Sequence, residues 1–383
     1  MRAALAMLVL VAALAIARAD APPEADKAVQ RNFAGSIQFD YLAVPTERLA
    51  RPTSLDAATV ETSLKLAVDL TDHVSANVKM CVACHGPELG MAYLDLRASD
   101  VFNVRVGRFT PAFGSFPQRH DPANHRTSDK PLPYDMGRML NYKDWNEGIL
   151  PAPWVDNGIE LDGVQFFGGN QLDYAAYAIG GPKGNADGYD FDYTLSRSGE
   201  RYYVDNNSEP SVGARLALTL RLDDDSSLAL GASGMAGHYD PQAKLAFWIA
   251  GADAVLQIDH VFLRAEYLLR RTEIALGDDP LARFKYGPAG GRFDDHLLKD
   301  GFYAELEAPV GRVDLIARWD GLRRWGNVLA TSELRENSIL LRYTAAAAIR
   351  IAAGVRIKAS IEEYDFSDLP DELAVHLGVV GSF

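Results

Sequence analysis

Apolar and polar side chains alternate along several long stretches of this chain. Residues 211–222 place one set on each face: Val212, Ala214, Leu216, Leu218, Leu220 and Leu222 against Ser211, Gly213, Arg215, Ala217, Thr219 and Arg221. Residues 312–320 repeat this alternation, as does the uninterrupted stretch 349–362. An α-helix would mix the two faces, whereas a β-strand separates them because successive side chains point to opposite sides. The sequence therefore predicts β-strands with one apolar face.

Short and long connections alternate between the predicted strands. The short turns are 98–100, 168–170, 223–226, 258–260 and 309–311, and the long loops are 46–61, 110–157, 182–209, 274–298 and 322–334. A soluble β-sandwich has shorter strands and no such asymmetry, whereas a transmembrane barrel has short turns at one end and long loops at the other. We therefore expect an all-β fold, a transmembrane antiparallel up-and-down β-barrel with a long extracellular loop at 110–157. This loop is rich in proline and aromatic residues, which favours a packed loop folded into the mouth or lumen of the barrel.

The predicted strands number roughly sixteen, and a closed single-chain barrel requires an even number. They are 36–45, 62–70, 74–81, 88–98, 101–109, 158–167, 171–181, 210–222, 227–236, 244–257, 261–273, 299–308, 312–321, 335–345, 348–363 and 371–383.

Residues 1–19 have the pattern of a secretory signal peptide. Arg2 supplies the positive region, residues 3–17 are apolar, and Ala17-Arg18-Ala19 matches an A-x-A cleavage site. The apolar run is shorter than the ~20 residues that a spanning helix needs. We expect residues 20–35 to form a periplasmic N-terminal segment and residues 36–383 to form the barrel.

The formal charge of the chain is −14, and removal of the signal peptide with Arg2 and Arg18 makes it −16. A nucleic-acid-binding protein needs a basic face to neutralise phosphates. The charge therefore excludes nucleic acid as the expected partner.

Two stretches resemble bacterial outer-membrane porins. The final strand, 373–383, ends in the aromatic Phe383, as the closing strand of these porins does, and residues 92–114 (AYLDLRASDVFNVRVGRFTPAFG) look like the strand–turn–strand unit of the phosphate-selective type. The resemblance implies insertion into the outer membrane, with lipid as one partner. It also implies that small anionic solutes are candidate cargo.

Both cysteines of the chain fall in Cys81-Val82-Ala83-Cys84-His85. The C-x-x-C-H pattern is typical of c-type haem attachment, in which two thiols add to the vinyl groups of one haem. The histidine directly after the second cysteine then reaches the iron as proximal ligand. We therefore expect one covalent haem c on Cys81 and Cys84, with His85 on the iron.

A disulfide, a zinc site and a chance pair of thiols are the alternatives to haem at these cysteines, and all three stay open. A redox-active disulfide would sit at the start of a helix in a thioredoxin-like unit, and none is visible. A zinc site would need two further ligands nearby.

Alternation in 74–81 turns Cys81 toward the lumen at the extracellular end of its strand. The second axial ligand must then come from elsewhere, and the long loop offers candidates. His125 is the first choice and His120 the second, with Met136 and Met139 as further options. His238 and His296 lie in predicted extracellular loops and stay open, whereas three histidines expected near the periplasmic end are poor candidates: His73, His260 and His376.

Three functions fit these features. The first is electron transfer at or across the outer membrane, with partner cytochromes, because one haem cannot bridge a hydrocarbon core ~30 Å thick. The second is diffusion of solutes, among them anions, through a porin whose haem site is structural or redox-sensing. The third, which the sequence supports least, is a haem peroxidase or reductase, since nothing fixes acid–base groups near an open iron position.

Overall fold

The computed structural model of the chain describes residues 30–44, 58–83, 86–135, 148–184, 187–193, 204–286 and 293–383. Within these ranges sixteen strands close into one barrel in which every neighbouring pair is antiparallel, and two short strands form a separate sheet. The expected signal peptide, 1–19, lies outside the described residues.

The barrel strands are β1 (Arg31–Ala43), β2 (Ala58–Thr71), β3 (Val74–Ala83), β4 (Gly86–Ser99), β5 (Phe102–Phe109), β6 (Asp156–Phe167), β7 (Asn170–Ile179), β8 (Ser211–Arg221), β9 (Ser226–His238), β10 (Ala246–Ile258), β11 (Val261–Glu273), β13 (His296–Val310), β14 (Val313–Gly326), β16 (Asn337–Ala352), β17 (Val355–Phe366) and β18 (Glu372–Ser382). The separate sheet pairs β12 (Phe284–Tyr286) with β15 (Val328–Leu329), next to a single helical turn, α1 (Pro280–Arg283).

The predicted barrel and its strand number are confirmed, and each predicted strand overlaps an observed one. Many strand ends differ from the predicted ones by several residues, and two of these differences matter here. The first strand begins at Arg31, inside the segment expected to precede the barrel. The prediction of a single strand over 348–363 is wrong. A turn at residues 353–354 divides this stretch between β16 and β17, and Gly354 adopts a φ of +72° there. Small residues at the turn let the alternation continue across it, so periodicity alone could not locate it.

The outward face of the wall is apolar and the inward face is polar. On β18, Val375, Leu377 and Val379 are exposed on the outside, whereas His376 and Gly378 between them are buried inside. A belt of exposed apolar side chains around a closed cylinder is suited to lipid.

The connections divide the barrel into two ends. After β2, β4, β6, β8, β10, β13 and β16 the next strand begins within a few residues, which defines the short-turn end. The longer connections lie at the opposite, long-loop end, with one exception: β3 ends at Ala83 and β4 begins at Gly86. By the porin pattern the short-turn end is periplasmic. No helix among the described residues is both long and apolar enough to cross a membrane.

First and last strands meet to close the wall. β1 pairs with β18 from Ser36–Ser382 to Ala43–Val375. Past the end of β18, the backbone of Phe383 exchanges two hydrogen bonds with Gly35, at N–O distances of 3.0 and 3.1 Å. The aromatic carboxy terminus is therefore part of the closing seam.

The long connection between β5 and β6 folds into the lumen. We call its described residues, 110–135 and 148–155, the inward segment. Its apolar side chains pack with wall residues into a buried core inside the barrel; the segment contributes Phe113, Phe116, Leu132, Tyr134, Ile149, Leu150, Ala152 and Trp154. This confirms the expectation, drawn from the aromatic content of the loop, of a packed loop within the barrel.

Candidate functional site

Cys81 lies on β3, two residues before the long-loop end of that strand. Its neighbours Met80 and Val82 are exposed on the outside, so the alternation turns Cys81 to the lumen, opposite Ser63 of β2. This matches the orientation expected from the sequence. Cys84 and His85 lie outside the described residues.

A β-bulge next to Cys81 makes room for its thiol. The β3–β4 register shifts between Lys79 and Met80, which leaves Gly90 as an extra residue on β4. A Cβ built on Gly90 would stand 3.1 Å from the Cys81 Sγ, closer than ordinary packing allows. Bulges often re-aim side chains next to functional sites. Glycine at position 90 thus leaves space for the Cys81 thiol on the lumen side.

His120 of the inward segment lies against the same stretch of wall. Its Nε2 is 2.8 Å from the Nζ of Lys79, which precedes Cys81 by two residues on the same face of β3. The Lys79 ammonium also pairs with Asp121, and His120 Nδ1 bonds the carbonyl of Pro117. Burial and the adjacent ammonium lower the pKa of His120 to about 3, so the imidazole is neutral.

His125 lies against a different stretch of the lumen wall, several strands away from β3. Its ring packs against Phe116 at a centroid distance of 5.9 Å, and its surroundings include Lys358 of β17 and Arg318 of β14. Burial, followed by these cations, lowers the pKa of His125 well below its usual value. The structure therefore brings His120 to the Cys81 wall and does not bring His125 there.

The remaining candidate ligands are dispersed. Met136 and Met139 lie outside the described residues. His238 ends β9 and pairs with Glu209, and His296 begins β13 beside Asp295, so both stand at the long-loop end but away from β3. His73 and His260 occupy short turns, as expected.

The position expected for His376 is wrong. This residue sits in the middle of β18, buried in the lumen, rather than near the periplasmic end.

A cavity of about 350 Å³ lies between the inward segment and the wall strands β2 to β6. Its lining includes three cations, Lys65, Lys79 and Arg105, and two acids, Asp121 and Glu160. Arg105 is held by Glu160 at 2.7 Å and by Asp95 at 2.9 Å. The cavity is small, hydrophilic and on the same wall as Cys81.

One carboxylate holds the turn at which the inward segment crosses the lumen. Glu266 of β11 accepts hydrogen bonds from the backbone amides of Ser115 and Phe116 and from the hydroxyl of Tyr134, at 3.1, 2.7 and 2.6 Å. The Tyr303 hydroxyl of β13 donates to it at 2.5 Å. A buried carboxylate needs this many donors to offset its lost hydration.

A second set of contacts centres on Arg342 of β16, which is fully buried. Its guanidinium lies 2.6 Å from Asp320 and 3.3 Å from Glu362, and donates to the carbonyl of Lys130 at 2.6 Å. Arg318 likewise donates to the carbonyl of Asp129 at 3.1 Å. Wall cations thus hold the inward segment by its backbone.

Alternation along their strands puts Arg318, Glu266 and Glu362 on the lumen face but predicts no role for them. A charged residue at an inward position of a long strand is the one sequence feature that could have indicated such contacts. Their partners in the inward segment lie more than a hundred residues away along the chain, so pairing could not be inferred.

Comparison with solved structures agrees with this architecture. OmpF of Salmonella typhi, solved with daunomycin, superposes with a TM-score of 0.58 at 9% identity over 93% of this chain and 98% of its own. OmpT of Vibrio cholerae gives 0.54 at 9% identity over 95% and 100%. OprB of Pseudomonas putida gives 0.54 at 8% identity over 92% and 94%.

No protein-family model matches the sequence, and no curated protein matches it. At these identities the likeness concerns the fold alone. Sixteen closed strands, an apolar outer belt and a lumen entered by the β5–β6 connection together confirm the prediction of a transmembrane barrel. The chain has the fold of bacterial outer-membrane porins.

Proposed function

We propose that the chain is a porin-type barrel that carries one covalent haem c on Cys81 and Cys84 and transfers electrons at the outer membrane. His85 is the proximal ligand in this proposal, as the C-x-x-C-H pattern implies. The observation that supports it best is the contact of His120 with Lys79, which lies two residues before Cys81 on the same face of β3. When bound, the haem iron supplies one-electron oxidation and reduction.

His120 is the distal ligand in this proposal, ahead of His125. Its neutral Nε2 already faces the strand that carries the thiol, and its Nδ1–H is oriented by the carbonyl of Pro117. A ring fixed through its other nitrogen is the usual state of a histidine that binds a metal. The inward segment would therefore position the ligand and exclude bulk water from it.

The filled lumen favours electron transfer over free diffusion of solutes through the barrel. The core formed by the inward segment and the wall is apolar and buried, with Tyr134 and Leu132 fully enclosed. One haem does not span a hydrocarbon core of ~30 Å, so a partner cytochrome would complete the path. A peroxidase or reductase is the weakest candidate, because such an enzyme needs an open iron position, which His120 would occupy in this proposal.

The test is production of the full chain with its signal peptide and the cytochrome c maturation machinery. We expect one haem per chain that survives denaturation, with the pyridine spectrum of haem c. The Cys81→Ala/Cys84→Ala variant should fold and lack it, and His260→Ala, at an exposed turn, should keep it. A folded parent without covalent haem would refute the proposal.

The second candidate is a diffusion channel for small solutes, among them anions, and the charged cavity beside β2 to β6 favours it. Single-channel recording in planar bilayers tests it. Discrete conductance with anion preference, reduced in Lys65→Gln, would support this candidate, and a silent bilayer with verified insertion would exclude it.

A further inference from the structure

Three potential metal ligands converge in the lumen, away from the Cys81 wall. They are Asp129 of the inward segment, Glu362 of β17 and His376 of β18, and one ligand atom from each lies within 4.8 Å of the others. All three side chains are at most 1% exposed. Three separate elements of the fold therefore present donors to one buried point.

The distances match first-row metal coordination. His376 Nε2 lies 3.4 Å from Asp129 Oδ2 and 3.8 Å from Glu362 Oε2. Metal–ligand bonds of about 2.1 Å at tetrahedral angles separate neighbouring ligand atoms by roughly 3.4 Å. The donors thus need only small shifts to surround one ion.

The other nitrogen of His376 is already oriented. Its Nδ1 lies 2.9 Å from Asp40 Oδ2 of β1, which makes Nδ1 the protonated donor. Nε2 then faces two carboxylates, at 3.4 and 3.8 Å, and it makes no hydrogen bond with any described residue. Without a proton on Nε2, this nitrogen and the carboxylates repel one another unless a metal ion stands between them. A carboxylate behind the histidine is also the usual outer shell of a protein metal site.

Arg342 is the group nearest to this site that could oppose a cation. Its Nη1 lies 3.3 Å from Glu362 Oε2 and 3.7 Å from Asp129 Oδ2. Its closest partner, however, is Asp320, at 2.6 Å from Nη2. Glu362 Oε1 makes no hydrogen bond with any described residue, and Arg318 Nη2 lies 3.9 Å from it.

We propose that Asp129, Glu362 and His376 bind one divalent metal ion of the zinc type, with Asp40 orienting the histidine. Mixed nitrogen and oxygen donors favour such an ion over calcium or magnesium, which take oxygen ligands. The ion would tie the inward segment to the two strands beside the closing seam. This site is independent of the haem.

Zinc binding to the folded full chain tests the proposal. The Cys81→Ala/Cys84→Ala background removes the thiols, which would bind zinc themselves. After chelator treatment and dialysis, titration calorimetry with Zn²⁺ should give one site per chain. His376→Gln and Asp129→Asn should abolish it, and Asp40→Asn should weaken it about tenfold or more. His260→Gln should bind as the background does.

Folding of each variant is checked by heat-modifiable migration in gels. If the ligand variants do not fold, X-ray absorption of the zinc-loaded background decides: a shell with one imidazole and carboxylate oxygens supports the site, and a shell without imidazole overturns it. A folded background that binds no zinc, or binding unchanged in folded His376→Gln, also overturns it. In each of these overturning outcomes the three side chains hold no metal ion, and a proton on Nε2 links His376 to the two carboxylates.

Discussion

Lys79 on β3 and His120 in the inward segment lie with their Nζ and Nε2 atoms 2.8 Å apart. An ammonium has only donors, so Nε2 must accept and the imidazole must carry its proton on Nδ1. The iron of the proposed haem would bind the same Nε2 atom, through the same lone pair. Lys79 therefore keeps His120 neutral and turned toward the wall that holds Cys81.

Removal of His120 should change the spin state of the matured protein. In His120→Ala, the haem stays attached but the spectrum is expected to change from low-spin to high-spin, because the sixth ligand is lost. His125→Ala should keep the low-spin spectrum, as should Lys79→Met, because iron would take the place of the Lys79 ammonium at the Nε2 atom of His120. A high-spin shift in His125→Ala and none in His120→Ala would instead assign the ligand to His125. Absorption and resonance Raman spectra provide the measurement.

Acid should destabilise the barrel through its buried histidines. His125 is neutral in the folded protein because burial and neighbouring cations depress its pKa, whereas in the unfolded chain it takes up a proton below about pH 6.5. The contribution of His125 to the free energy of unfolding is therefore fully present above that pH. Below it, this contribution falls by up to about 1.4 kcal/mol per pH unit for each such group.

His125→Phe should reduce this loss between pH 6.5 and 4.5, since Phe116 offers the new ring a packing partner. Urea unfolding in detergent at several pH values, in the background without thiols, measures the slope. His260→Phe, at an exposed turn, is the control. Equal slopes for parent and His125→Phe would contradict the assignment.

Arg342→Met should destabilise the barrel by about 3–5 kcal/mol, because it leaves buried carboxylates without their cation. Asp320 and Glu362 lose their contacts at 2.6 and 3.3 Å, and Lys130 loses the donor to its carbonyl. Urea unfolding at neutral pH checks this value. Arg221→Met is the matched control, since its pair with Asp224 is exposed and should contribute less than about 1 kcal/mol. Similar losses in both variants would show that the buried network adds no stability.

Replacement of residues 117–147 by a short Gly-Ser linker should widen the lumen. The replaced residues include Leu132 and Tyr134 of the buried core and Lys130, whose carbonyl is bonded by Arg342, so their removal takes away part of the filling of the lumen. We expect single-channel conductance to rise severalfold over the parent at the same salt concentration. Conductance unchanged in a folded, inserted variant would mean that the segment does not limit passage.

Local periodicity was enough to predict the wall. Each strand shows which residues face lipid, because the membrane requires apolar side chains at every second position, as in Val375, Leu377 and Val379. Two features carry no such signal. The turn at Gly354 interrupts no alternation, and β12 and β15 pair only two or three residues within loops.

The interior could be predicted only in outline. Proline and aromatic residues indicated that 110–157 folds inward, but which wall residue each side chain meets depends on contacts such as Arg342 with Lys130, which lie 212 residues apart. For the same reason His120 and His125, five residues apart, could not be assigned to different stretches of the lumen wall. A chain reversal between the two residues determines where each of them lies, and no periodic pattern of side chains predicts such a reversal.

Asp40 and His376 belong to the first and the last strand, 336 residues apart in sequence, yet their side chains meet at 2.9 Å. Neither can find its partner until synthesis and export of the whole chain are finished. This part of the interior therefore forms late in assembly, and contacts of such long range form slowly. A chain cut short before β18 would hold Asp40 and Asp129 without the imidazole between them, which gives the cell a chemical difference between finished and unfinished barrels.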